Sequence, residues 1–269
     1  MCYYRVNHND KENYITMTKI LHPNDHAPYQ IYNRDGDYPY IITVEHASNA
    51  IPKDMNGLGL VDNTLESHIA YDPYARQFSL DIANQLQCPL VTSEYSRLVI
   101  DCNRVETSHQ LVRDESDGII IQGNQNLLAE EISARQNAIY DPYHDAIREM
   151  KQKYAAKNIP FSFISMHSFT PQLNIDGKDR PWDLGFMWDH DDKLAVAFHD
   201  FFRKNYPDIR VGLNVPYDAR VEEKGSMHIH AWPYDIPAVE IELNFVTMAD
   251  TVKYKTILSG FVEFMKASV

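Results

Sequence analysis

Short β-branched and aromatic runs alternate with stretches of helical spacing along most of this chain. That alternation restricts the possible folds more than any other feature. Tyr40 to Val44 reads as a buried strand, and residues 64–87 carry apolar groups at helical spacing (Ile69, Phe78, Ile82, Leu86) up to Cys88-Pro89. Leu90 to Thr92 and Leu98 to Ile100 read as two more strands. Residues 124–157 read as one long amphipathic stretch, or as two helices meeting around Pro142. Phe161 to Met166, Leu184 to Trp188, Ile209 to Leu213 and Ala238 to Phe245 read as strands, with helices near 192–205 and about 249–267. Strands separated by helices imply an α/β protein: three layers, with a central mostly parallel or mixed sheet and helices on both faces. Residues 1–35 read as an irregular N-terminal arm and 36–269 as a single domain.

Composition narrows the function. A chain of 269 residues is long enough to bury one full core. Its formal charge of −13 argues against nucleic acid or an anionic membrane as partner, because both need a basic footprint. No apolar run reaches the roughly 18 residues of a membrane span, and no secretory apolar segment follows the polar start. The 3 cysteines are odd in number and widely separated, which fits a reducing cytoplasm better than a disulfide framework. With 10 glycines there is no GxGxxG or GxxxxGKS phosphate loop, whereas the 12 histidines keep metal binding and acid–base chemistry open. Oligomeric state is not legible.

In α/β sheets ligands bind at the carboxyl ends of strands, so polar residues there carry the most weight. His46 follows one buried strand and His167 another, and two imidazoles so placed can converge on one metal ion, Zn2+ by ligand type. The third ligand is expected to be Asp72, in the first helical segment, with Asn49 as the alternative; a carboxylate is the better zinc donor. A second group, Ser96 to Arg104, carries Arg97 at one end and Asn103-Arg104 at the other. Asn103 with Arg104 could clamp a small carboxylate, and Arg97 could polarise a carbonyl and stabilise the oxyanion formed on it. A third places Glu240 and Glu242 on one face of a strand, where a carboxylate beside a metal can serve as general acid and base. Arg180, Tyr217 and His230 lie in loop-like segments where binding groups collect, and they complete the expected substrate-binding set.

The segments EHASNAIP, HIAYDPYA, EYSRLVIDCNR, PYHDAI, SMHSFTP, RPWDLGF, NVPYDA and VEIEL resemble the N-formylglutamate amidohydrolase family over about residues 38–250. That family is similar in layout to zinc carboxypeptidases and aspartoacylases. The resemblance implies a zinc hydrolase cleaving an amide bond next to a carboxylate, with a small anionic N-acyl amino acid such as N-formyl-L-glutamate as substrate. It places His46 and His167 at the metal, Arg97 at the scissile carbonyl and Asn103 with Arg104 at the substrate carboxylate. Glu242, rather than Glu240, falls at the general acid/base position. One departure stands out: the relatives use HxxE, and this chain has His46-Ala47-Ser48-Asn49. A carboxypeptidase or cell-wall peptide amidase, and a non-catalytic carboxylate binder, are the competing expectations.

Overall fold

The computed structural model describes residues 19–173, 177, 179–221 and 224–269. In chain order its elements are β1 (Tyr29–Tyr32), β2 (Tyr40–Val44), α1 (Asp62–Leu65), α2 (Ala75–Leu86) and β3 (Leu90–Ser93). The hairpin strands β4 (Glu115–Ser116) and β5 (Ile119–Ile120) follow, then α3 (Ala129–Arg135), α4 (Asp141–Ala156), β6 (Ser162–Phe169) and β7 (Leu184–Met187). The chain closes with α5 (Lys193–Asn205), β8 (Val211–Leu213), α6 (Ser226–His230), β9 (Ala238–Asn244), α7 (Phe245–Ala249) and α8 (Thr251–Ala267).

Seven strands form one mixed sheet in the order β1-β3-β2-β6-β9-β7-β8. The central strands β3, β2, β6 and β9 run parallel, while β1 and β7 pair antiparallel with β3 and β9. The chain steps from β2 to β3 on one side and returns to β6 on the other. That reversal opens a crevice at the carboxyl ends of β2 and β6.

Period-two alternation assigns the two faces. Ile42, Val44, Ile164, Met166, Val239 and Ile241 point to one side and pack with Phe78 and Ile82 of α2, Phe198 and Phe202 of α5, and Phe261 of α8. On the other side Ile41, Phe163 and Ala238 pack with Tyr143, Ile147 and Met150 of α4. This second face is apolar only at the start of its strands. The aligned row Ile41–Phe163–Ala238 gives way to Thr43–Ser165–Glu240 and then to His167–Glu242, so polarity rises toward the carboxyl edge. The three-layer α/β architecture expected from the sequence is therefore present, and its inner faces direct the polar groups to one end.

Several local expectations are corrected. Tyr29–Tyr32 is an edge strand paired with β3, not part of an irregular arm; residues 1–18 lie outside the described residues. Leu98 to Ile100 is a turn rather than a strand. Its backbone is held by side chains, with Ser96 Oγ accepting from Leu98 N (3.1 Å), Asn124 donating to Leu98 O (2.8 Å) and Arg135 donating to Val99 O (2.9 Å). These partners remove the need for a ladder. The segment 64–87 is not one helix: α1 ends at Leu65, residues 66–74 run through turns, and α2 begins only at Ala75, past Asp72-Pro73, where the proline drives the preceding residue out of the α region. Around Pro142, α3 and α4 join through a π-helical turn at Gln136–Tyr140, which absorbs the proline without a chain reversal.

Candidate active site

The buried strand β2 ends at Val44, and the turn that follows delivers Glu45 and His46 at the crevice. Asp72 is brought over by the break before α2, and its backbone N–H donates to His46 O at 2.9 Å. His167 lies inside β6, not after it as the sequence suggested, because β6 runs on to Phe169 in pairing with β9. His46 and His167 stand with ring centroids 4.9 Å apart, and Asp72 Oδ2 lies 3.3 Å from His46 Nδ1 and 2.8 Å from His167 Nδ1. These are three buried donors, two imidazole nitrogens and a carboxylate oxygen, lying within 4.8 Å of one another. Such a set could hold a metal ion, and nitrogen–nitrogen–oxygen ligation suits Zn2+. Asn49 turns away to donate to Leu65 O at 3.0 Å and does not line the cavity.

The outer ring nitrogens are held as well. Asp101 is fully buried, and its Oδ1 accepts from His46 Nε2 at 2.6 Å and from Asn103 N at 2.9 Å. His167 Nε2 lies 3.0 Å from Ser165 Oγ, 3.2 Å from Asn103 Nδ2 and 3.3 Å from Glu45 Oε2. Burial, with Arg97 close by, drives the His46 pKa down to about 3, so this ring is neutral with a free lone pair at Nδ1. Burial opposes charge on His167 too, but its bond to Glu45 and the nearby Glu240 and Glu242 carry it up to about 9.

A cavity of about 280 Å³ opens beside this group, lined by Arg97, Arg104, Tyr217, His228, Glu240 and Glu242 among others. Arg97 pairs with Asp72 Oδ1, and its own pKa of about 10, lowered by burial, leaves it charged at neutral pH. The Nε atoms of Arg97 and Arg104 are buried without a hydrogen-bond partner among the described residues. Unsatisfied cationic donors at a cavity wall fit an anionic ligand. Glu242 lies opposite His167 in the β6–β9 register, and its Oε2 is likewise buried and unpartnered. Burial pushes its pKa up to about 7.

The remaining candidates divide. Asn103 lines the cavity, but its amide is committed, Oδ1 accepting from Ser226 N at 2.8 Å while Nδ2 faces His167. Gly225 makes this possible, since a Cβ there would lie 2.2 Å from Asn103 Oδ1. Arg180 stands one side chain back, donating to Tyr217 Oη at 3.0 Å and stacking on its ring. His230 is outside the cavity. It is buried against His144, with Nε2 2.7 Å from His144 Nδ1, and α6 turns His228 inward in its place, held by Asp189 at 3.0 Å. Sequence reasoning passed over Glu45 and, of the two alternate histidines 228 and 230, took His230 for the binding set. The signal for Glu45 was a carboxylate placed directly after a strand with no other charge.

The arrangement gathers imidazoles, carboxylates and guanidinium groups around one cavity at the carboxyl edge of an α/β sheet, a set of groups that could serve hydrolysis. The chain belongs to the N-formylglutamate amidohydrolase family, whose model matches residues 38–248, and it is a hydrolase of amide bonds. Among solved structures it is similar to the gene product Atu2144 from Agrobacterium tumefaciens, with 28% identity, a TM-score of 0.86 and coverage of 92% of this chain and 97% of that one. It is also similar in fold to N-formylglutamate amidohydrolase from Ralstonia eutropha JMP134, with 16% identity, a TM-score of 0.66 and coverage of 91% and 100%. No curated protein matches the chain. Among the described residues no helix is long and apolar enough to cross a membrane.

Proposed function

We propose that the protein is a metal-dependent deformylase or small-acyl amidohydrolase acting on N-acyl amino acids, with N-formyl-L-glutamate the first substrate to test. The observation that carries this reading is the convergence of His46 Nδ1, His167 Nδ1 and Asp72 Oδ2 beside Glu242, whose Oε2 is buried without a partner among the described residues. Those three side chains would hold Zn2+. When bound, the ion supplies Lewis acidity and a more acidic water.

The other roles fall to the chain's own groups. Glu242, with a pKa of about 7, exists near neutrality in both forms, as a group must that takes a proton from water and returns it to the departing nitrogen. Arg97 stays cationic at the cavity wall and stabilises the negative charge that develops on the carbonyl oxygen. The buried, unpartnered Nε of Arg104 receives the substrate carboxylate and fixes the amide beside the three ligands. Asn103, its amide already engaged, orders this wall rather than binding substrate. Tyr217, backed by Arg180, supplies a further part of the cavity wall.

Cavity size separates this from a peptidase. At about 280 Å³ the cavity is near the low end of the roughly 300–1,000 Å³ of small-molecule sites, which favours an amino-acid derivative over a peptide. Cys88 and Cys102 are both free and buried, in keeping with a reducing cytoplasm, and we read residues 36–269 as one domain built on the central sheet. The test is a panel of N-formyl and N-acetyl amino acids and dipeptides, given to zinc-supplied protein. Formate release from N-formylglutamate, with dipeptides untouched, is expected. Hydrolysis of dipeptides alone would move the assignment to a peptidase. Carboxylate binding without any hydrolysis would leave only a binder.

A further inference from the structure

The carboxylate that immediately precedes His46 faces the other histidine. Glu45 is buried at the end of β2, its Oε1 accepting from Thr43 Oγ1 at 2.7 Å and its Oε2 from Ser165 Oγ at 2.9 Å. Oε2 also lies 3.3 Å from His167 Nε2. The hydrogen-bond inventory around that nitrogen is restrictive. Asn103 presents Nδ2, a donor, because its Oδ1 is held by Ser226 N, so it cannot accept a proton from His167. The single Ser165 hydroxyl proton goes to Glu45, which leaves the Ser165 oxygen, 3.0 Å from Nε2, as an acceptor. Both acceptors open to an Nε2–H are therefore created or supplied by Glu45.

We infer that Glu45 is the positioning residue for His167: it keeps a proton on Nε2, directly and through Ser165, so that Nδ1, which faces Asp72 at 2.8 Å, is the nitrogen that gives up its proton and offers its lone pair to a metal. Asp101 holds the His46 ring by the equivalent nitrogen, so each histidine has its own buried carboxylate. An orienting partner of this kind typically changes metal affinity by 10–100-fold. The inference rests on the metal reading above, and the experiment separates the two.

The test compares wild type with Glu45→Met, which conserves volume but cannot accept a hydrogen bond, and with Glu45→Gln, whose amide oxygen still can. In metal-free protein labelled with 15N-histidine, the His167 Nε2–H proton should resonate far downfield in wild type and move upfield with faster exchange in Glu45→Met. The His46 signals should stay in place. Zinc affinity, measured by competition with a chelator, should fall 10–100-fold in Glu45→Met and recover most of the way in Glu45→Gln. Unchanged His167 ring signals in Glu45→Met would overturn the inference, whether or not zinc binds. So would zinc affinity within twofold of wild type. Absence of zinc binding by wild type, with the His167 signals moving as expected, would sink the metal reading and leave the positioning role standing. Should Glu45→Met not fold, Ser165→Ala serves in the same spectrum, and an unmoved Nε2–H there would equally refute the relay through the hydroxyl.

Discussion

Replacing Glu242 by glutamine should inactivate the enzyme and at the same time stabilise it. Glu242 is 5% exposed, and burial raises its pKa from 4.5 to about 7. At 1.36 kcal/mol per pH unit, that difference corresponds to about 3 kcal/mol. The sign follows from which form the folded chain prefers. A raised carboxyl pKa means that the fold favours the protonated form, so the contribution is complete below about pH 4.5 and is lost as pH rises through about 7. Glutamine carries no charge to bury and keeps that contribution at every pH. Metal-free Glu242→Gln should therefore match wild type near pH 4 and exceed it at pH 8 by about 3 kcal/mol, a rise in Tm on the order of 5–10 °C. The same variant should lose roughly 10²–10⁴ in kcat, the usual worth of a general acid/base. Thermal melts at the two pH values and a formate-release assay read both effects. Equal melting temperatures at pH 8, or turnover like that of wild type, would refute the assignment of Glu242 as a buried, proton-carrying base.

Three further outcomes follow from the same geometry. Arg104→Met should raise KM roughly 10–100-fold with a smaller change in kcat, because it removes carboxylate binding rather than oxyanion stabilisation; steady-state kinetics on N-formylglutamate decide this. Asn49→Ala should leave zinc affinity within about twofold of wild type, since the Asn49 side chain is spent on the Leu65 carbonyl. A tenfold loss in a chelator competition would return Asn49 to the ligand set. Zinc binding at pH 7.5 should release about one proton, because His167, with a pKa of about 9, must give up a proton to ligate. Calorimetry in buffers of different ionisation enthalpy measures that number, and no proton release would mean that His167 stays out of the coordination.

What could be read from the sequence was set by local physics. The strand β2 was legible as a short, continuous β-branched run, and the helices α5 and α8 because their apolar residues repeat with the helical period. Leu98 to Ile100 misled because its apolar run looks like a strand, while its backbone is satisfied by Ser96, Asn124 and Arg135 from distant segments. The edge strand β1 was hidden by weak patterning at a sheet margin. In the site, His46, Asp72 and His167 were found from strand-end placement and ligand chemistry, and the structure brings those side chains together. His230 was taken in place of His228, because two residues separated by one on a short helix diverge by about half a turn, and only the packing of α6 decides which faces in. Glu45 was passed over because its role depends on Ser165 and His167, some 120 residues further along the chain.

The proposed chemistry depends on one coordination centre. A crystal of the protein equilibrated with zinc, with diffraction data collected on both sides of the zinc absorption edge, tests it directly. A single anomalous peak bonded to His46 Nδ1, His167 Nδ1 and an Asp72 oxygen, with Glu242 facing the open position, is the predicted result. Anomalous density elsewhere in the molecule, or none at these side chains, would contradict it.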